Sequence, residues 1–474
     1  MTKPDLTLEP SADEMRRLAR LALDRIVEHI ETLPSQPAAD TSGGAELARS
    51  LRDPLPETGA PFEQLLDIIY KQAAPKSFNA AGPGYLAYIP GGGLYFSGLA
   101  DFIADTLNRY VGVWEASPGL VQLETNVIRW LCDIVGYPAG SGGFLTTGGS
   151  LANFSAVVTA RRLKLPKDFL KGTLYCSSHT HSSVHRAAML AGFPDSALRE
   201  MPVDERFCMR VDEVERQIVK DRKAGLAPFF LVASAGTTNT GAVDDIPALA
   251  ELARREKMWF HVDAAYGGFF VLTERGRRVL KGMERADSLS LDPHKGMFLP
   301  YGTGSLLVRD AATLKQAHGY GAEYLPAAQA DPDLVDFNQI SPELTRAFRG
   351  LRLWLPLKLH GFGPFRRSLD EKLDLTVWAT EQLRAIPGME ILAEPQLSIV
   401  AFRLGRPGLA PAELNALNKK FLAGINRRNR VFLSGTMLGD RYALRICVLS
   451  FRTHLDRMHA AVEDIRAAVA DLKA

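Results

Sequence analysis

The residues best suited to chemistry lie in the stretch Asp287–Thr303, DSLSLDPHKGMFLPYGT. A β-like run, DSLSL, gives out just before Lys295, which follows Pro293 and adjoins Gly296. Pro and Gly at these places bias the backbone away from a continuing helix or strand. An amine held there, beside His294 and Asp292, is placed for reaction rather than for solvation. Partial burial would lower its pKa and free its lone pair. Three further groups go with it. Gly148, Gly149 and Ser150 form a Gly-rich turn that opens a helix, and bare N–H groups at a helix N-terminus bind phosphate. Asp263 ends the apolar strand FHVD, where a buried carboxylate is costly unless paired. His181 lies between them in HTHSSVH. Together these groups suit pyridoxal phosphate. The turn would hold its phosphate, Asp263 its protonated pyridine nitrogen, and His181 the face of its ring, while Lys295 would form a Schiff base.

Each group has a plainer explanation when taken alone. A Gly-rich turn before a helix is often structural, a strand-end Asp is often a cap, and a lone Lys is usually on the surface. The histidines His179, His181 and His185 have spacing a metal could use, but no HExxH motif or cysteine ligand set accompanies them, so no metal is expected. The four groups are more specific together, because they occur in order on one α/β pattern.

The elements that must position these groups alternate. GTLYCSS, PFFLVASAGTTNTG, MWFHVDAAYGG, DSLSLDPHK and GTGSLLVRD read as strands, and HTHSSVHRAAMLAGF and PALAELARREK as helices. Such alternation implies a mainly parallel sheet with helices on both faces, and ligands then sit beyond the strands' carboxyl ends. A helix is expected over Ser11–Leu33, opened by a capping box of Ser11 and Glu14, and another over Pro61–Ala73. Residues 1–80 thus form a helical arm that cannot bury its own apolar faces, suggesting a dimer. The Gly- and Tyr-rich stretch Gly82–Gly98 is either a surface connection or a pocket wall. Residues 81–363 form the large α/β domain, with a long loop over His318–Glu343 that suits a lid. Residues 364–474 form a smaller α+β domain with strands MEILAE, QLSIVAFRL, RVFLSG and YALRICVLSF.

The chain has 474 residues, enough for two or three domains. Its net charge of +2, with Lys and Arg scattered, gives no case for nucleic acid or an anionic membrane. The four cysteines show no regular spacing, so a disulfide framework is not expected and a reducing compartment is. The acidic N-terminus does not resemble a signal peptide, and no apolar run would span a bilayer. A cytoplasmic protein is expected.

Seven motifs, ASPGLVQLE, TTGGSLANFSAV, HSSVHRA, GTTNTGAVDD, HVDAAYGG, DSLSLDPHKG and LRICVLSFRTH, resemble the group II pyridoxal-phosphate decarboxylases, the aromatic-L-amino-acid and glutamate decarboxylase family. The resemblance covers nearly the whole chain. It implies a fold-type I α/β homodimer with a seven-stranded type of sheet and its active site at the subunit interface. It implies that Lys295 is the Schiff-base lysine, that Asp263 partners the pyridine nitrogen, and that His181 and Ala265 cover the two ring faces. Gly149, Ser150 and His294 would contact the phosphate region, Thr238 the ring hydroxyl side, and Tyr88, Ile89 and Tyr110 the substrate. An amino acid, aromatic by this likeness, would lose CO₂ to give an amine. No arginine presents itself for a side-chain carboxylate, which disfavours glutamate.

Two positions depart from the family pattern. Asp292 stands where the family often has Asn, putting a second anion near the phosphate unless it turns away or meets a cation. In the family a loop tyrosine returns the proton to Cα, and a gap-free count places Phe337 there. Phenylalanine cannot donate, and aldehyde synthases of the family carry this change, releasing aldehyde, ammonia and hydrogen peroxide. Tyr320 or Tyr324 could take the role instead. Other rivals are an aminotransferase or desulfurase of the same fold and a non-catalytic dimeric binding protein.

Overall fold

The computed structural model describes residues 8–321, 329, 331 and 333–472. The chain begins with three helices, α1 (Ala12–Thr32), α2 (Gly44–Ser50) and α3 (Phe62–Asp67), the last continued by a wide π-type turn, Ile68–Ala73. Ser11 caps α1, its side chain accepting the Glu14 amide. Arg17–Glu63 and Arg25–Asp67 ion pairs tie α1 to α3. No residue of α1 is buried.

Helices α4 (Tyr95–Leu107) and α5 (Pro118–Val135) lead into the large sheet. Its strands are β1 (Gly142–Thr146), β2 (Gly172–Ser177), β3 (Leu198–Met201), β4 (Ala227–Ser234), β5 (Trp259–Asp263), β6 (Ser288–Leu291) and β7 (Gly304–Val308). Between and after them run α6 (Gly149–Lys164), α7 (Ser182–Leu190), α8 (Val211–Lys223), α9 (Ile246–Arg255), α10 (Glu274–Val279), the single turn α11 (Pro293–Gly296), α12 (Ala312–His318) and the short α13 (Phe337–Ile340). The spatial order is β1-β7-β6-β5-β4-β2-β3. Neighbours from β6 to β3 are parallel, while β7 runs against both β6 and β1. The sheet is therefore mainly parallel, with one reversed strand, as expected for the α/β pattern.

Period-two alternation assigns the strand side chains to two layers. Leu231, Ala233, Phe260, Val262, Leu289 and Leu291 face a core built with α5, α8 and α9. Phe230, Val232, Trp259, Leu306 and Val308 face the opposite core, with α6 and α7. Cover on both faces explains why β4, APFFLVAS, reads as a continuous apolar run.

Past α14 (Gly350–His360), α15 (Gly363–Arg384) packs Phe365, Leu369 and Leu373 into the first core and Leu375, Ala379 and Leu383 into a third. That third core joins the four-stranded antiparallel sheet of β8 (Met389–Ala393), β9 (Ile399–Leu404), β10 (Ser434–Leu438) and β11 (Arg441–Cys447) to α16 (Pro411–Asn426) and α17 (Leu455–Asp471). RVFLSG, expected as a strand, joins this sheet only from Ser434. Its earlier part bonds to the Gly-rich stretch instead: Phe432 donates to the Gly84 carbonyl and Leu86 to the Phe432 carbonyl. That pairing buries Tyr85, Leu86, Ala87 and Ile89, so the stretch is no surface connection.

Candidate active site

Five chain segments converge at one edge of the large sheet. β1, β2, β4, β5 and β6 all point their carboxyl ends there, and each delivers a group foreseen from the sequence. They enclose a cavity of about 380 Å³ lined by Gly148, Gly149, Ser150, His181, Thr238, Asp263, Ala265, His294 and Lys295, with Asn153, Ser183, Asp292 and Tyr301 among their neighbours.

The phosphate end is the N-terminus of α6. Thr146 Oγ1 accepts the Gly148 amide at 3.2 Å and donates to the Gly148 carbonyl at 3.0 Å, fixing the turn. No side chain caps the helix, so its dipole and first amides face the cavity. Neighbouring segments approach the turn closely. A Cβ on Gly304 would stand 2.5 Å from the Gly148 Cα, and one on Gly149 3.1 Å from the Ala265 Cβ.

Asp263 is 8% exposed. One carboxylate oxygen accepts the Asn153 amide at 3.0 Å, and the other accepts Ser290 Oγ at 3.0 Å and the Ala265 N–H at 3.2 Å. Behind it runs a buried chain: Asn153 Oδ1 lies 3.0 Å from His261 Nε2, and Ser288 Oγ 2.8 Å from His261 Nδ1. The Asn153 amide is committed as donor to Ser183 and Asp263, so its oxygen takes a proton from His261 Nε2. Burial depresses the His261 pKa to about 4, leaving the ring neutral. Burial works against the Asp263 anion, but His261, Lys295, His181 and the Asn153 donor outweigh it and hold the carboxyl below its usual range. With His261 uncharged at neutral pH, the cation responsible there is Lys295. An ionised carboxylate with one cavity-facing side suits a protonated pyridine nitrogen.

His181 is the N-cap of α7; its Nδ1 accepts the Ser183 amide at 3.2 Å, so the neutral ring carries its proton on Nε2. Burial lowers its pKa, favouring that neutral ring. His294 Nδ1 donates to the Thr303 carbonyl at 2.7 Å.

Lys295 lies on α11, where Pro293 occupies the favourable first position, so the proline starts a helical turn rather than only ending a strand. Its Nζ is 2.8 Å from an Asp292 oxygen. The expectation of a lowered pKa does not hold for this state. Burial pulls it down, but Asp292, by charge and hydrogen bond, and then Asp263 reverse the effect, and it stands above its ordinary value. Asp292 thus meets a cation, one of the two outcomes foreseen for it.

The remaining candidates lie elsewhere. Phe337 is 1% exposed, packed in the α6-side core with the Arg346 guanidinium 4.5 Å over its ring, and does not line the cavity. Tyr110 donates to the Leu344 carbonyl at 3.0 Å beside the same segment. Tyr88 is half exposed with φ of 48°, and Ile89 is in the core. Tyr320 is 82% exposed, and Tyr324 lies outside the described residues. Sequence reasoning missed Asn153, His261 and Arg445. The Arg445 guanidinium is buried and donates to the carbonyls of Tyr88, Thr238 and Asn239, locking the small sheet to the cavity rim. Asn153 had a signal: it is a polar residue between buried Ala152 and Ala156, one turn into the phosphate helix.

Residues 45–405 match the model of the pyridoxal-dependent decarboxylase conserved domain. The chain is 35% identical to an aromatic-L-amino-acid decarboxylase of Bacillus atrophaeus, over 97% of this chain and 96% of that one. It is 28% identical to a phenylacetaldehyde synthase of Arabidopsis thaliana, over 92% of each. The structure of Catharanthus roseus tryptophan decarboxylase in complex with L-tryptophan superposes with a TM-score of 0.92 at 28% identity, covering 98% of this chain and all of that one. The open α6 turn, the ionised Asp263 and the lysine opposite it suit one cofactor, and the chain belongs to the pyridoxal-dependent decarboxylase family, enzymes that release CO₂ with pyridoxal phosphate.

Proposed function

We propose that this chain decarboxylates an aromatic L-amino acid to its amine through Lys295, as a homodimer. The observation that carries the reading is the convergence of Lys295, Asp263, His181 and the uncapped α6 N-terminus on one cavity. Bound pyridoxal phosphate supplies a sink for the electron pair left when CO₂ departs. The chain's own residues do the rest. The α6 turn fixes the phosphate end, Asp263 holds a proton at the pyridine nitrogen, and neutral His181 offers a flat face. Ala265 would pack on the opposite face, and Thr238 would meet the ring hydroxyl side. Aromatic specificity rests on the likeness to the Bacillus and Catharanthus proteins.

Amine is the proposed product, in keeping with the likeness to the Bacillus and Catharanthus decarboxylases. Dimerisation is supported by unpartnered apolar faces: Leu23 and Val27 on α1, and Leu99, Phe102, Ile103 and Leu107 on α4, are exposed. In a dimer Tyr88, Ile89 and Tyr110 would wall the substrate at the interface. A cytoplasmic, reducing location is in keeping with four unpaired thiols.

A panel of aromatic, acidic and basic amino acids, with CO₂, amine, peroxide and oxygen uptake measured together, tests the reading. Stoichiometric CO₂ and amine from an aromatic substrate, without oxygen uptake, is expected; aldehyde with peroxide, or turnover only of acidic substrates, overturns it. Borohydride should fix the cofactor to Lys295, and a colourless protein that takes up none would point to a binding module.

A further inference from the structure

Asp292 is 2% exposed and has incomplete partners. One oxygen meets Lys295 Nζ at 2.8 Å, with His294 Nε2 at 3.6 Å. The other, Oδ1, is buried without a hydrogen-bond partner. Two glycines make its niche. A Cβ on Gly149 would stand 3.1 Å from one oxygen, and a Cβ on Gly304 2.7 Å from the other. The carboxylate therefore sits against the N-terminus of the 16-residue α6, whose dipole favours an anion. Both supports of this anion, the Lys295 ammonium and the α6 N-terminus, are groups the cofactor itself needs.

We propose that Asp292 gates cofactor uptake: it holds Lys295 as an ammonium, and the pair must open before the amine can take the cofactor's aldehyde. An ammonium has no lone pair to attack with. On opening, its third proton leaves through Asp292. The nitrogen then adds to the aldehyde carbon, its other two protons leave with the aldehyde oxygen as water, and a C=N bond replaces C=O. The groups facing Lys295 from other elements are Asp263 on β5, His181 at α7, Tyr301 on the following loop and Cys447 on β11. Asp263 is the other carboxylate, but it is committed to Asn153, Ser290 and the Ala265 amide. Among the described residues, Asp292 alone reaches the ammonium at hydrogen-bond distance.

The inference rests on Lys295 being the cofactor lysine. Cofactor-stripped wild type, Asp292→Asn and Asp292→Ser are mixed with pyridoxal phosphate across neutral and alkaline pH. Two readouts are taken: the rate at which visible absorbance develops, and the site fixed by borohydride. Both variants should load about tenfold faster at neutral pH, and the midpoint of the rate's rise with pH should move down. An unmoved or raised midpoint in a variant with wild-type circular dichroism and cofactor still fixed at Lys295 overturns the gate; a variant that misfolds leaves the decision to the other. Borohydride fixation at another lysine in wild type overturns both the gate and the Lys295 reading.

Discussion

His261 never touches the cavity, yet it anchors the charge there. Its ring is fully buried and neutral with a pKa of about 4, against roughly 6.5 in an unfolded chain. The unfolded state therefore binds the extra proton between those values, and stability falls as pH drops through that window. The loss from His261 should be on the order of 3 kcal/mol. His318, also near 4, adds a second contribution. His261→Leu should lower stability at neutral pH by about 1–3 kcal/mol, since Asn153 and Ser288 lose a partner. It should also flatten the acid limb, as urea midpoints measured across this range would show. Asp263→Asn keeps the shape but removes the anion, and decarboxylation should fall on the order of 100-fold with the cofactor still bound, checked by turnover and absorbance. Phe337→Tyr forces a hydroxyl under Arg346 in a packed core. It should cost about 1–3 kcal/mol in thermal or urea unfolding while the amine-to-aldehyde ratio stays unchanged. The sequence made Lys295, Asp263 and His181 legible because each stands at a strand end beside a residue type that breaks regular structure. It left the packing of Phe337 unread, because a gap-free count cannot tell a loop residue from one that packs into the core.

The element that matters most is the turn joining β1 to α6, and what it requires comes from the far strand β7. A methyl on Gly304 would overlap the Gly148 backbone, where nothing flexible can yield. Gly304→Ala should push the turn out of place, weaken pyridoxal phosphate affinity at least about tenfold, and lower stability by about 1–3 kcal/mol. Equilibrium dialysis and unfolding would measure the two. Nothing in the local sequence announces that constraint, because it arises from the β1–β7 pairing of Thr146 with Gly304. Helix periodicity and strand runs were readable wherever one face is apolar. α4 escaped notice because its sequence, YFSGLADFIADTL, exposes Leu99, Phe102 and Ile103 while burying Ser97 and two alanines, the reverse of the usual pattern.

That inverted helix and α1, with no buried residue, leave the whole molecule with apolar surface that one chain does not cover. Leu23→Asp with Val27→Asp tests the proposed dimer: light scattering should give about twice 51.9 kDa for the wild type and a shift toward one chain for the variant, with cofactor affinity lost alongside; a wild-type mass of one chain would overturn the dimer, and an unshifted variant would place its interface elsewhere. The order β1-β7-β6 has a further consequence for how the protein is made. The strand that enters the sheet first in sequence waits for the one that enters last, so the cavity has no phosphate end until residue 308 has left the ribosome. At roughly 5–20 residues per second, the 45 residues from the end of β5 to the end of β7 take about 2–9 seconds to make. Cofactor binding should therefore follow the pairing of β1 with its one reversed neighbour, β7.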